Sequence, residues 1–125
     1  MKVRLPVFAL AVFCLAATAP AMDRWAALSM IESGDDDNAV GPDGEVSRFQ
    51  IRSKLWPGGD PENAQVALAV AQAIMRPRLE EFQSSHKRPA TDFEFYVLWN
   101  APGEIDHPSQ AVAARAQRFS NLVRP

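Results

Sequence analysis

One stretch, Thr91-Asp92-Phe93-Glu94-Phe95-Tyr96-Val97-Leu98-Trp99, limits the possible folds more than any other. Thr91 and Glu94 have capping-box spacing: the hydroxyl accepts from the backbone at Glu94 and the carboxylate from the backbone at Thr91. Beyond the cap, Phe93, Tyr96, Val97 and Leu98 carry a helix to Trp99 with nearly every turn apolar. A helix apolar on all sides is covered on all sides. The stretch therefore predicts a buried central helix, ended by Asn100-Ala101-Pro102-Gly103, with other elements packed around it.

Those elements are legible on either side. Asp23 caps a helix through Ser33, with Trp25, Leu28, Ile31 and Glu32 on one side and Gly34 as its stop. Residues Asp35 to Ile51 read as irregular. Within them Gly41-Pro42-Asp43-Gly44 is a turn signal flanked by Val40 and Val46, which predicts a short β-hairpin. Ser53 to Trp56 reads as one helical turn before Pro57-Gly58-Gly59. Asp60-Pro61-Glu62 has the character of a helix start. The apolar rows Val66-Val70-Ile74 and Ala67-Ala71-Met75-Leu79-Phe82 extend that helix, which Pro77 is expected to kink or divide. Ser84 to Pro89 reads as a polar loop. A last helix follows Pro108, with Val112, Ala116, Phe119 and Val123 inward and Arg115 and Arg118 on its solvated side. The expected fold class is mainly α, with four or five helices and one hairpin.

The first 21 of the 125 residues have the layout of a secretory signal peptide. Lys2 and Arg4 precede an apolar run from Val7 to Ala17, and Ala19-Pro20-Ala21 offers a small-x-small cleavage site. That run is short for a membrane span of about 20 residues, so no membrane association is expected after cleavage. Residues 22–125 then form a single exported domain. The chain's one cysteine, Cys14, falls in the signal, so the domain must rest on its core without disulfides. Lys2 and Arg4 are two of the chain's 13 basic residues; against 15 acidic ones, the remainder is acidic by about four charges. An acidic surface without a basic stripe argues against nucleic acid as a partner.

Glu32 stands apart from the neighbouring Asp35, Asp36 and Asp37, which read as solvated. It ends an apolar run, Leu28-Ser29-Met30-Ile31, at the negative end of a helix dipole. Poor solvation and the dipole both push a carboxyl pKa upward, and a glutamate so tuned is a competent general acid near neutral pH. No metal or cofactor site is expected. Asp35-Asp36-Asp37-Asn38 lacks the alternating oxygen ligands of a calcium loop, because Ala39 falls where a third is needed. His86 and His107 have no partner at zinc spacing.

Three segments, read in order, resemble the catalytic domain of lytic transglycosylases in the lysozyme-like superfamily. They are Ala27-Leu28-Ser29-Met30-Ile31-Glu32-Ser33-Gly34, Asn38-Ala39-Val40-Gly41, and Gly44-Glu45-Val46-Ser47-Arg48-Phe49-Gln50-Ile51. The family has an apolar helix ending in Glu-Ser, an Ala-Val-Ser/Gly loop and a Gly-Leu-Met-Gln-Ile stretch; eighteen positions from Glu32 to Gln50 match a common spacing there. Asp60-Pro61-Glu62-Asn63 resembles the entry to the family's next helix, and Tyr96 to Gly103 its Ala-Tyr-Asn-Ala-Gly ending.

The resemblance implies an α+β lysozyme-like domain with the hairpin beside an active-site cleft. It implies cleavage of the bond between N-acetylmuramic acid and N-acetylglucosamine in peptidoglycan, with closure of a 1,6-anhydro ring. Glu32 would be the single acid/base. Gln50, Ser33, Phe49, Trp99 and Asn100 stand at positions that hold or border the sugar in the family, Ser33 and Asn100 also as local supports. Trp56 is the tryptophan expected to face glycan. The departures are specific. The family often has Tyr where Trp99 stands, its hydroxyl touching the acid, whereas an indole is only a donor. The family Ser of the early loop is Gly41 here, Ser47-Arg48-Phe49 replaces Gly-Leu-Met, and Pro102 replaces a Gly. Three alternatives stay open: hydrolysis with a second carboxylate, for which Glu45 is the best placed, a non-catalytic wall-binding module, and an exported helical interaction protein without a sugar site.

Overall fold

A computed structural model describes residues 20–124; the signal-like segment up to residue 19 lies outside them. Four α-helices carry the fold: α1 (Arg24–Ser33), α2 (Ala64–His86), α3 (Asp92–Asn100) and α4 (Gln110–Val123). Short 3-10 turns, Ser53–Leu55 and Pro102–Glu104, lie before α2 and after α3. The protein is mainly helical, as its sequence predicts.

The capping box at Thr91 is complete, and α3 is the centre of the core. Tyr96 and Val97 are wholly buried, and Phe95 and Leu98 nearly so. Phe119 of α4 lies against both Phe95 and Tyr96, each at 5.6 Å between ring centroids. Trp25 of α1 meets Phe95 edge-on at 5.4 Å. Offset and edge-on aromatic pairs add about 0.5–1.5 kcal/mol each beyond burial. Asp92, 6% exposed at the start of α3, accepts from Arg24 Nε at 2.8 Å and lies 3.0 Å from Arg124 Nε. This double pairing ties the start of α1 and the end of α4 to the same point.

Helix α1 matches its reading: Asp23 accepts from the Ala26 amide, and Gly34 closes it at φ +66°. Helix α2 departs from its reading in three ways. Its N-cap is Asn63, whose side chain accepts from the amides of Gln65 and Val66. Asp60 instead accepts from the Glu62 amide in a turn ahead of the helix. Pro77 does not divide α2. Pro77 and Ala73 are both exposed, so the carbonyl left without an amide partner faces water. Finally, the segment expected as a polar loop is helical through His86. His86 stacks on Phe82 one turn earlier, at 4.0 Å, which gives the last turn an apolar contact.

The expected hairpin is reduced to two isolated antiparallel bridges, Val40 with Val46 and Val46 with Ile51. The turn at Gly41 is present, with Gly44 N–H donating to the Gly41 carbonyl. A second turn follows at once, because Ser47 and Gln50 both take positive φ. Val46 and Ile51 exchange a pair of 2.9 Å hydrogen bonds across it. Two reversals within a dozen residues leave no length for a ladder.

Thr91→Ala should lower stability by about 1 kcal/mol, the usual cost of losing an N-cap, measured by urea denaturation. Arg88 and the cap hold the Glu94 carboxyl down at about 2. That support is fully present above the ordinary glutamate range and lost as pH falls toward 2. The stability gap between wild type and Glu94→Gln should close over that interval.

Candidate active site

The last turn of α1, the double-turn loop and the short turn after it, the middle of α2, the end of α3 and the middle of α4 surround an open cleft of about 740 Å³, within the range of small-ligand sites. Glu32 is in its wall, with a side chain only 9% exposed. Its helix places it there: Leu28 and Ser29, a turn earlier, are buried against the core, so the same side of α1 brings Glu32 to the core's edge.

Tyr96 is the first partner of the Glu32 carboxyl, its hydroxyl donating to Oε1 at 2.8 Å. Arg115 Nη2 stands 3.4 Å from Oε2 and lies over the Tyr96 ring at 5.9 Å. Withdrawal from water raises the pKa of Glu32, and the charge of Glu45 pushes the same way. The Tyr96 hydrogen bond and the Arg115 charge oppose this, but the net direction is upward. Burial and the adjoining carboxylate hold the Tyr96 phenol well above its ordinary range, so it remains a donor.

Neither Tyr96 nor Arg115 is a site residue in the sequence reading. Tyr96 is the chain's one tyrosine and sits one helical turn before Trp99, on the same face of α3. Trp99, where the resemblance predicts a side chain touching the acid, puts an indole on the cleft wall, and the hydroxyl that meets Glu32 comes from one turn earlier. That i, i+3 relation was the available signal. Arg115 is not on a solvated side: it is half-buried and bends over Tyr96. No residue pattern near Arg115 announces this.

The remaining sequence-derived residues divide. Gln50, Trp99 and Asn100 line the cleft with Glu32. The Gln50 amide nitrogen is committed to the carbonyls of Ala39 and Ser47, leaving its oxygen without a donor among the described residues. Ser33 does not line the cleft. Its hydroxyl donates to the Arg48 carbonyl at 2.7 Å and accepts from the Asp36 amide, pinning the loop to α1. Phe49 is a core residue, 2% exposed, between Trp25 and Trp99. Trp56 is half-buried, donates to the Gly59 carbonyl and does not line the cleft; Leu55 beside it does.

All three neighbouring aspartates are engaged locally, Asp36 by accepting from the Asn38 amide at 2.9 Å. Arg48 donates to both carboxylate oxygens of Asp37, at 2.7 and 3.0 Å. Asp35 accepts from the Ser29 hydroxyl and lies 3.7 Å from Arg48. Glu45 lines the cleft and accepts from the Asp43 amide at 3.0 Å. A Cβ on Gly41 would overlap the Glu45 carboxylate and press on the Gln50 amide oxygen. A side chain there would require the ends of Glu45 and Gln50 to swing aside. Among the described residues no three His, Cys, Asp or Glu side chains converge as metal ligands, and no helix is long and apolar enough to cross a membrane.

Compared with protein-family models, with curated proteins and with solved structures, the chain finds no match.

Tyr96→Phe removes a donor that favours the ionised acid, so the Glu32 pKa should climb further, measured by carboxyl ¹³C NMR titration. An unmoved titration would mean the 2.8 Å contact has no energetic weight. Because the folded pKa of Glu32 is raised, its contribution to stability is present below the unfolded value and lost as pH rises through the folded one. Wild type should therefore lose stability relative to Glu32→Gln across that window in denaturation curves at stepped pH. Parallel curves would mean a solvated carboxyl.

Proposed function

We propose that the protein is an exported enzyme with a lysozyme-like fold that cleaves the β-1,4 bond between N-acetylmuramic acid and N-acetylglucosamine in peptidoglycan by the lytic transglycosylase route. One observation carries the reading: a glutamate at a helix end, 9% exposed, in the wall of an open cleft and hydrogen-bonded to a phenol. The in-order resemblance from α1 to α3 supplies the reaction.

In that reaction protonated Glu32 gives its proton to the glycosidic oxygen. The bond from that oxygen to the muramoyl anomeric carbon breaks, leaving a free 4-hydroxyl on the glucosamine side. The Glu32 carboxylate then takes the proton of the muramoyl 6-hydroxyl, whose oxygen bonds to the anomeric carbon. No water is consumed and Glu32 ends protonated. The raised pKa favours the first step; Tyr96 and Arg115 support the carboxylate between the two.

Glu45 supports a second reading. It lines the same cleft, and its charge acts on Glu32, as a water-activating carboxylate would in hydrolysis. The products separate the two. Digested peptidoglycan should give anhydro-muropeptides by mass spectrometry, whereas reducing ends would favour hydrolysis. Glu32→Gln should lower the cleavage rate by about 10²–10⁴, the usual contribution of a general acid/base. Glu45→Gln should retain cleavage by the lyase route and lose it in hydrolysis. A Glu32→Gln variant that cleaves at the wild-type rate would refute the acid.

A further inference from the structure

Beyond Glu32, the cleft carries two arginines without an anionic partner. Arg52 and Arg78 both line it, and among the described residues neither has a carboxylate within 4.0 Å. The other charged groups of the cleft are occupied. Glu32 faces Arg115, Glu45 accepts from the Asp43 amide, and Glu104 accepts from the Ser109 amide at 2.8 Å.

Arg78 is held in place. Its Nη1 donates to the Leu98 and Trp99 carbonyls at 2.9 and 3.0 Å, at the C-terminal end of α3, where a cation is favoured. Its Nε and Nη2 have no hydrogen-bond partner among the described residues. Burial and the nearby Arg52 charge both push its pKa down. The two like charges act on each other across the cleft, and an anion between them would be attracted by both. A guanidinium fork already positioned by two hydrogen bonds suits a carboxylate.

We propose that Arg52 and Arg78 form an anionic subsite that takes a carboxylate borne by the glycan. It rests on the peptidoglycan reading, in which such groups come from the lactyl ether of muramic acid or from the peptide stem. The enzyme then selects acidic glycan over a neutral polymer with the same linkage.

The test uses the Glu32→Gln protein, to prevent turnover, and calorimetric titration at low salt. The ligands are the N-acetylglucosamine–N-acetylmuramic acid disaccharide, its methyl ester, and the disaccharide with a tripeptide stem. At least one acid form should bind about tenfold more tightly than the ester. That preference should disappear in Arg52→Gln, whose exposed side chain makes no hydrogen bond among the described residues, and fade with added salt. Arg78→Gln, checked for folding by circular dichroism, should behave alike. Preference for the free acid identifies the lactyl carboxylate as the source, and preference for the tripeptide form the stem. Equal affinity for acid and ester forms would overturn the subsite and leave the cleavage reading intact. Failure of every sugar to bind would overturn both. An acid preference that survives both arginine substitutions would overturn the assignment to these residues.

Discussion

A carboxyl group taken out of water must find partners inside the protein, and Glu32 finds them on two helices more than sixty residues away. The Tyr96 hydroxyl comes from the central helix and Arg115 from the last one. Tyr96 is wholly buried and packed on Phe119, so its hydroxyl position is set by the core. The site therefore inherits the rigidity of the aromatic stack. Nothing about Glu32 alone, at the end of a ten-residue helix, would fix it to within hydrogen-bonding tolerance.

The balance of forces on that carboxyl matters as much as its position. A phenol at 2.8 Å and a guanidinium at 3.4 Å both favour the anion. Burial outweighs them, and the net direction is toward the protonated form. Arg115 is itself partly exposed, and a charge open to solvent is a weak partner. Such a carboxyl gives up its proton less readily than an exposed one, while its anion still finds two partners.

Most of the helical frame was legible because its signals are local: a capping box at Thr91, a cap at Asp23, a glycine stop at Gly34, and apolar rows along α2 and α4. The failures were also local in cause. Asp60 and Asn63 are both good caps, and only packing decides which one begins α2. Pro77 forbids one hydrogen bond, but on an exposed face water replaces it. The hairpin was over-read because the positive φ values at Ser47 and Gln50 belong to non-glycine residues and leave no mark in the sequence. For the site, Glu32, Gln50, Trp99 and Asn100 were placed in the cleft by sequence order. Ser33 was read as a local support, which it is, but also as bordering the sugar, which it does not; Phe49 was not recognised as core, and Tyr96 and Arg115 were missed. Those four depend on which way a side chain turns across a tertiary contact.

Gly41 has an evolutionary consequence. A side chain at position 41 and the Glu45 carboxylate, as it now lies, compete for the same space, so one can enter only if the ends of Glu45 and Gln50 move. A lineage could gain a side chain at 41 together with a new rotamer of Glu45 and Gln50, or with a shorter residue at 45. The two positions should therefore vary together among descendants of this sequence, as a single inherited character and not two.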